Sequence, residues 1–325
     1  MSLRLPRRLR VGTVTAGLAA LALALTACGS GDAGTGGAPA ADVGTVRVVA
    51  STNVYGSIVR AVGGNRVTVT SIIDDPSADP HSHEATPAEA ASVTQAQLVV
   101  LNGGGYDDFM SKIVNSAGGH RPVIDAVEVS GLEPALEPGH DHADGHDHGE
   151  FNEHVWYSLP TMQTVASRIA GELARLDPAS AAEFTANAER FNTQVGELLE
   201  RATAIGTSHP GARVAVTEPV PGWLLHDAGL TDATPEEFAH AVETDTDPPA
   251  AVLQQTLALF TGDPVRALLL NAQTQTPTTD QVKQAAVRAG VPVVEVTETL
   301  PEGTTDYLSW MGGQIDALSR AVDRS

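Results

Sequence analysis

Four positions in the chain combine a side chain that can bind a metal ion with a place directly after an apolar run or directly before a helix-like stretch. These residues are His81, His154, Glu218 and Asp306. Imidazole nitrogens and carboxylate oxygens together suit Zn(II) and neighbouring divalent transition metals. The sequence therefore contains four separate candidate metal ligands.

Each of these residues also has an ordinary interpretation. His81 lies in a loop led by Asp79-Pro80, where a histidine is often plain surface, although the proline stiffens the loop. His83, two residues further on, could replace or assist it. His154 precedes an aromatic pair that could anchor a core, and Asp306 stands where an N-terminal helix cap is expected.

A second set of donors lies in the run PGHDHADGHDH at residues 138–148. It contains His140, His142, His146 and His148. Such spacing in a loop does not suit a buried core, which leaves a metal-collecting loop or an incidental polar insertion. Four histidines interleaved with three aspartates favour a metal-collecting loop, and neutral imidazoles select zinc, copper or nickel over manganese.

The elements that must position these residues alternate between strands and helices. Seven short apolar runs rich in β-branched residues predict strands, at 46–50, 67–73, 98–101, 123–124, 214–217, 267–270 and 293–296. Helical stretches between them are predicted at 54–62, 87–95, 249–260 and 279–289. This alternation predicts an α/β protein whose sheets are mostly parallel and flanked by helices.

The middle of the chain interrupts the alternation. Residues 159–176 and 178–205 carry apolar residues at helical spacing with no strand between them. A helix of about 25 residues would be roughly 40 Å long. We therefore predict a first α/β lobe at 45–177, one long connecting helix at 178–206 and a second α/β lobe at 207–325.

The first residues follow the order of an export signal. Four arginines precede an uncharged run rich in alanine and leucine, which ends at Cys28, the only cysteine of the chain. The stretch 25–28 resembles a bacterial lipobox, which implies cleavage after residue 27 and acylation of Cys28. Residues 28–44 lack an apolar period and are predicted to form a flexible tether. The alternative is a leftover signal peptide with a stray thiol.

The formal net charge of −21 argues against a nucleic-acid partner, because an acidic surface repels phosphates. It suits a collector of cations, although acidity alone is as often a device for solubility. No His-Glu-x-x-His helix, nucleophile elbow or phosphate loop is present. A zinc hydrolase with an open coordination position stays as an alternative from another class.

From residue 46 to residue 321 the chain resembles the solute-binding proteins of zinc and manganese ABC importers, the family called cluster A-I. The motif Asp-Pro-His matches His81, and the segment His-Val-Trp matches His154, with Asn152-Glu153 replacing the usual Asp-Pro. A strand-end Glu in the second lobe matches Glu218. An Asp opening the last helix matches Asp306.

The resemblance implies a monomeric, non-enzymatic protein, lipid-anchored to the outer face of the cytoplasmic membrane. Its partners would be an ABC permease and its ATPase. It would capture Zn(II), with Mn(II) as the alternative that Glu218 keeps open, and it would bind no nucleic acid. An extracellular metal buffer or adhesin without a transporter is a further alternative.

Overall fold

The computed structural model describes residues 45–75, 78, 80–81, 83–132 and 151–324. The predicted signal at 1–27, Cys28 with the tether at 28–44, and the histidine loop at 138–148 lie outside the described residues. None of the described helices is both long enough and apolar enough to cross a membrane.

The first lobe is built on a parallel sheet of four strands, in the order β2-β1-β3-β4. The strands are β1 (Val46–Thr52), β2 (Val67–Ile73), β3 (Leu98–Leu101) and β4 (Val123–Asp125). Strand β3 is buried on both faces, as expected for a central parallel strand. Leu98 and Val100 face one apolar cluster, while Val99 and Leu101 face another.

Helices connect these strands on both sides of the sheet. They are α1 (Asn53–Gly63), α2 (Pro87–Gln95), α3 (Asp108–Ala117) and α4 (Ala126–Ser130). Helix α2 begins with a capping box, in which Thr86 and Glu89 each bind the other's backbone N–H. The box fixes where the loop that carries His81 ends.

The second lobe repeats this plan with the strand order β6-β5-β7-β8, again entirely parallel. Its strands are β5 (Arg213–Val216), β6 (Thr231–Asp232), β7 (Leu268–Asn271) and β8 (Val293–Val296). Its helices are α7 (Gly222–Asp227), α8 (Glu236–Glu243), α9 (Ala250–Ala258), α10 (Pro277–Ala289) and α11 (Tyr307–Arg324). The predicted class, two α/β lobes with parallel sheets, is confirmed.

Two long helices lie between the sheets in sequence, α5 (Leu159–Leu176) and α6 (Ala181–Ser208). Helix α6 has 28 residues and packs against α1 in the first lobe and α11 in the second. Close to its end, a Cβ added at Gly206 would lie 2.3 Å from the carbonyl oxygen of Ala228. Glycine there allows α6 to approach the second lobe closely.

The two lobes share one apolar core. The largest buried cluster takes residues from both sheets and from α5, α6 and α11. Hydrogen bonds also cross between the lobes: the Asn53 side chain bonds both backbone groups of Leu300, and the Tyr307 hydroxyl donates to the Trp156 carbonyl at 2.8 Å. A continuous core with buried cross-links restricts the lobes to small relative movements.

Candidate metal centre

The first-lobe residues of the site lie in two loops beyond the carboxyl ends of parallel strands. His81 lies between β2 and α2, and His154 lies just ahead of α5. In open α/β sheets this edge is where functional groups usually gather. The second lobe contributes Glu243, the last residue of α8.

Four side chains converge at this edge. His81, Glu153, His154 and Glu243 each place one ligand atom so that all four atoms lie within 4.8 Å of one another. His154 is buried, Glu153 and Glu243 are half-buried, and His81 is exposed. The predicted pairing of His81 with His154 in space is thus present, with their ring centroids 6.1 Å apart. We call these four residues the His81 cluster.

Aromatic rings form one wall of the cluster. Tyr106 packs edge-on against His81 with the centroids 4.9 Å apart, and it also contacts His154 at 5.9 Å. Trp156 lies 5.1 Å from His154 and 4.3 Å from Tyr106, so the two rings are adjacent. Because Tyr106 and Trp156 are almost fully buried, they keep water from that side of the imidazoles.

Asn152 orients the His154 ring. Its Oδ1 lies 2.8 Å from Nδ1 of His154 and also accepts the His154 backbone N–H at 3.1 Å. An amide oxygen can only accept, so Nδ1 carries the proton and Nε2 presents its lone pair to the cluster. The Asn152 amide nitrogen donates to the carbonyl of Pro219 in the second lobe at 2.8 Å.

His154 is held neutral. Burial, and secondly the neighbouring His81, lower the pKa of His154 from 6.5 to about 3. A neutral imidazole with a fixed tautomer is the form that binds a metal ion. His154 therefore offers the Nε2 lone pair as an electron-pair donor across the neutral pH range.

The predicted ligand Glu218 lies at the end of β5, is only 4% exposed and is not a member of the His81 cluster. Its Oε2 accepts from the Asn271 amide at 2.7 Å, and its Oε1 accepts from the Thr274 hydroxyl. The same Asn271 amide donates to Glu298 at 2.8 Å. Two buried carboxylates thus share one amide nitrogen.

The predicted ligand Asp306 serves as a helix cap in the described chain. It is exposed, and its Oδ1 accepts the backbone N–H of Ser309 at 2.8 Å in the first turn of α11. It is not part of the His81 cluster. As metal ligands, Glu218 and Asp306 remain predictions.

His83 points to neighbours outside the cluster. Its Nε2 lies 3.3 Å from a Glu89 oxygen, and its ring packs against Phe109 with the centroids 4.6 Å apart. These contacts explain its position without a metal. His226, at the end of α7, has a side chain that is 79% exposed.

Sequence reasoning did not identify Glu153, Glu243 or Glu298 as candidates. Glu153 directly precedes a predicted ligand, and Glu298 follows β8 as Glu218 follows β5, so both carried a positional signal. Glu243 carried none, because it ends a helix that sequence reasoning did not identify. Glu153 and Glu243 lie in the His81 cluster, whereas Glu298 shares the Asn271 amide with Glu218.

The chain can also be compared with known proteins. The family described as zinc-uptake complex component A, periplasmic (ZnuA), matches residues 48–321. The manganese-binding lipoprotein MntA of Bacillus subtilis is 24% identical over 276 residues, which is 82% of each chain. MntA of Halalkalibacterium halodurans is 27% identical over 180 residues, so the match spans only about half of either chain, 55% in each case.

Solved structures agree on the fold. The periplasmic zinc-binding protein TroA of Treponema pallidum superposes with a TM-score of 0.70 at 18% identity, covering 86% of this chain and 99% of TroA. A crystal structure of ZnuA gives a TM-score of 0.69 at 21% identity, covering 85% and 99%. Because the ZnuA family matches most of the chain, this protein belongs to the ZnuA family of metal ABC transporter substrate-binding proteins.

Proposed function

We propose that this protein captures a divalent transition metal outside the cytoplasmic membrane and delivers it to an ABC permease driven by an ATPase. The observation that carries the proposal is the convergence of two imidazoles from the first lobe with carboxylates from both lobes. Because Glu243 belongs to the second lobe, an ion held by the cluster would link the two lobes. Binding would then favour one closed arrangement.

Zinc is the favoured cargo. Two imidazole nitrogens and two carboxylate oxygens satisfy tetrahedral Zn(II), and the Irving–Williams order gives zinc the higher affinity at such a site. Manganese is the alternative, since additional carboxylate oxygens suit a harder ion with a higher coordination number. The relatives include proteins named for manganese and neighbours named for zinc, which is consistent with either ion.

The segments outside the described residues would assist capture. Acylation of Cys28 would anchor the protein to the outer face of the membrane, with residues 29–44 as a tether. The four loop histidines would bind zinc weakly and raise its concentration near the His81 cluster. They are His140, His142, His146 and His148. The protein would act as a monomer.

The decisive experiment is elemental analysis of protein purified without added metal, followed by zinc and manganese competition. We expect one metal ion bound per protein molecule, with a higher affinity for zinc than for manganese. The variants His81→Gln and His154→Gln should each bind the metal at least about tenfold more weakly than the parent. His226→Gln, which changes an exposed histidine, is the matched control and should bind as the parent does. A parent protein that binds neither ion at one equivalent would refute the proposal.

Deletion of residues 139–148 separates the loop from the cleft. The shortened protein should still bind one metal ion at the His81 cluster and should take up zinc more slowly when zinc is scarce. If the deletion removed all zinc binding, the His81 cluster would not be the principal metal site.

A further inference from the structure

We propose that Glu243 is a ligand of the transported ion and that it sets the balance between zinc and manganese. The inference rests on the proposed function, because it assigns the metal selectivity of that same site to one of its carboxylates. Neither the predicted ligand set nor the family motif includes this residue.

Glu243 and His154 are separated by a distance that suits two ligands of one ion. Oε1 of Glu243 lies 3.7 Å from Nε2 of His154. This separation is too long for a hydrogen bond. Two ligands bound to one Zn(II) ion at about 2.1 Å each, at a near-tetrahedral angle, lie about 3.4 Å apart. The pair is therefore spaced as two ligands of a common ion, within a few tenths of an ångström.

The His154 ring is oriented toward Glu243. Asn152 occupies the Nδ1 side of the ring, so the Nε2 lone pair faces the Glu243 carboxylate. Two groups that both offer electron pairs repel each other unless a proton or a cation lies between them. A divalent cation satisfies both groups at once, while the Glu243 side chain is only 17% exposed to water.

Glu243 ends helix α8, where a carboxylate is electrostatically unfavourable. A carboxylate in the last turn of a helix meets the negative end of the helix dipole, which is unfavourable. The turn that follows is a Schellman motif, with Thr246 N–H bonded to the Ala241 carbonyl at 2.8 Å. Its left-handed position is taken by Asp245, with φ of 54°, where glycine is usual. A bound cation would offset the first of these costs.

Glu218 lies outside the His81 cluster. Its two carboxylate oxygens accept hydrogen bonds from Asn271 and from Thr274. Glu243 already lies within the cluster that contains both imidazoles. It is thus the second-lobe carboxylate placed nearest to a metal ligand geometry.

The selectivity follows from ligand chemistry. Zinc draws much of its affinity from the two imidazoles, whereas manganese depends more on anionic oxygens. Glu243→Gln keeps the size of the side chain and replaces an anionic donor by a neutral one. We expect the variant to lose about tenfold or more in affinity for Mn(II) and clearly less for Zn(II).

The test uses the full chain and measures zinc and manganese affinities by competition with a chelating dye. Co(II) serves as a third probe, because its visible absorption reports coordination geometry. Glu236→Gln is the matched control, since Glu236 is exposed in the first turn of the same helix. The control should match the parent, while Glu243→Gln should change both the Co(II) band and the ratio of zinc to manganese affinity.

Glu243→Asp distinguishes a ligand from a general charge effect. It keeps the negative charge but withdraws the carboxylate by one methylene, so a ligand role predicts weakened binding and a field effect predicts parental binding. Unchanged affinities and an unchanged Co(II) band in both Glu243 variants would overturn the inference while the proposed function stands. A parent protein that binds no metal would instead overturn the proposed function.

Discussion

Replacing Asn152 should weaken metal binding and loosen the lobe interface, although Asn152 is not a ligand. Asn152→Ala removes three hydrogen bonds: two from His154 and one to the Pro219 carbonyl. Each contributes about 1 kcal/mol net, and a buried His154 Nδ1–H left without an acceptor adds a further penalty. We expect the free energy of unfolding of the metal-free protein to fall by about 2–4 kcal/mol. The metal affinity should fall about 10–100-fold.

A second variant separates the two effects. Asn152→Asp keeps an acceptor for His154 but places an oxygen opposite the Pro219 carbonyl, so only the bond between the lobes is lost. It should lower the free energy of unfolding by about 1–2 kcal/mol and retain most of the metal affinity. Urea unfolding with a chelator and dye competition measure the two quantities, with exposed Asn115→Ala as the control. If Asn152→Ala binds metal as tightly as the parent, the assigned role in orienting His154 is wrong.

Three further predictions follow from single contacts. Because burial holds the pKa of His154 at about 3, the unfolded chain binds a proton between about pH 6.5 and pH 3 that the folded chain does not. Stability of the metal-free protein should be fully present above that window and decline as pH falls through it. Urea unfolding across this pH range should show a shallower decline for His154→Gln than for His226→Gln; equal slopes would contradict the pKa assignment. Gly222→Ala places a Cβ 2.6 Å from the Asn152 amide nitrogen and should reduce metal affinity in the dye assay, whereas Gly313→Ala, with open space around its added Cβ, should not. Asp245→Gly should raise the free energy of unfolding by about 0.5–1 kcal/mol, because glycine adopts a positive φ without strain. Asp245→Val should lower the free energy of unfolding, because a β-branched residue is strained there. Thermal melts that reverse this order would contradict the assigned backbone strain.

The pattern of apolar residues predicted most of the strands and helices. Strands β2, β3 and β8 begin and end at the predicted residues, and so does helix α5. Continuous apolar runs of this length signal buried parallel strands because both faces of such strands lie against helices. Strand β6 gave no such signal, because it has two exposed residues at the sheet edge. Helix α8 was missed because it follows Pro235 in a stretch rich in acidic residues.

Some residues of the candidate site could likewise be predicted from sequence, and others could not. His81 and His154 could be selected from sequence because each lies a few residues ahead of a predicted helix, and functional groups of α/β proteins gather at one edge of the sheet. Position in the chain did not show which carboxylates lie beside the two histidines. Glu218 has the expected position after β5 and accepts hydrogen bonds from Asn271 and Thr274, and Asp306 caps α11; both lie outside the His81 cluster and stay predictions as ligands.

The sequence by itself determined the class of protein and the alternation of strands and helices, and it selected His81 and His154 as candidate ligands, which the structure brings together. Tertiary structure alone decided which carboxylate of the second lobe lies beside them. Glu243 and His154 are 89 residues apart, and no local pattern relates them. Their approach depends on the second lobe packing against the first through a shared core and the Asn152 contact with Pro219. Local patterns record which residues are buried, whereas the pairing of two distant side chains depends on how whole elements pack together.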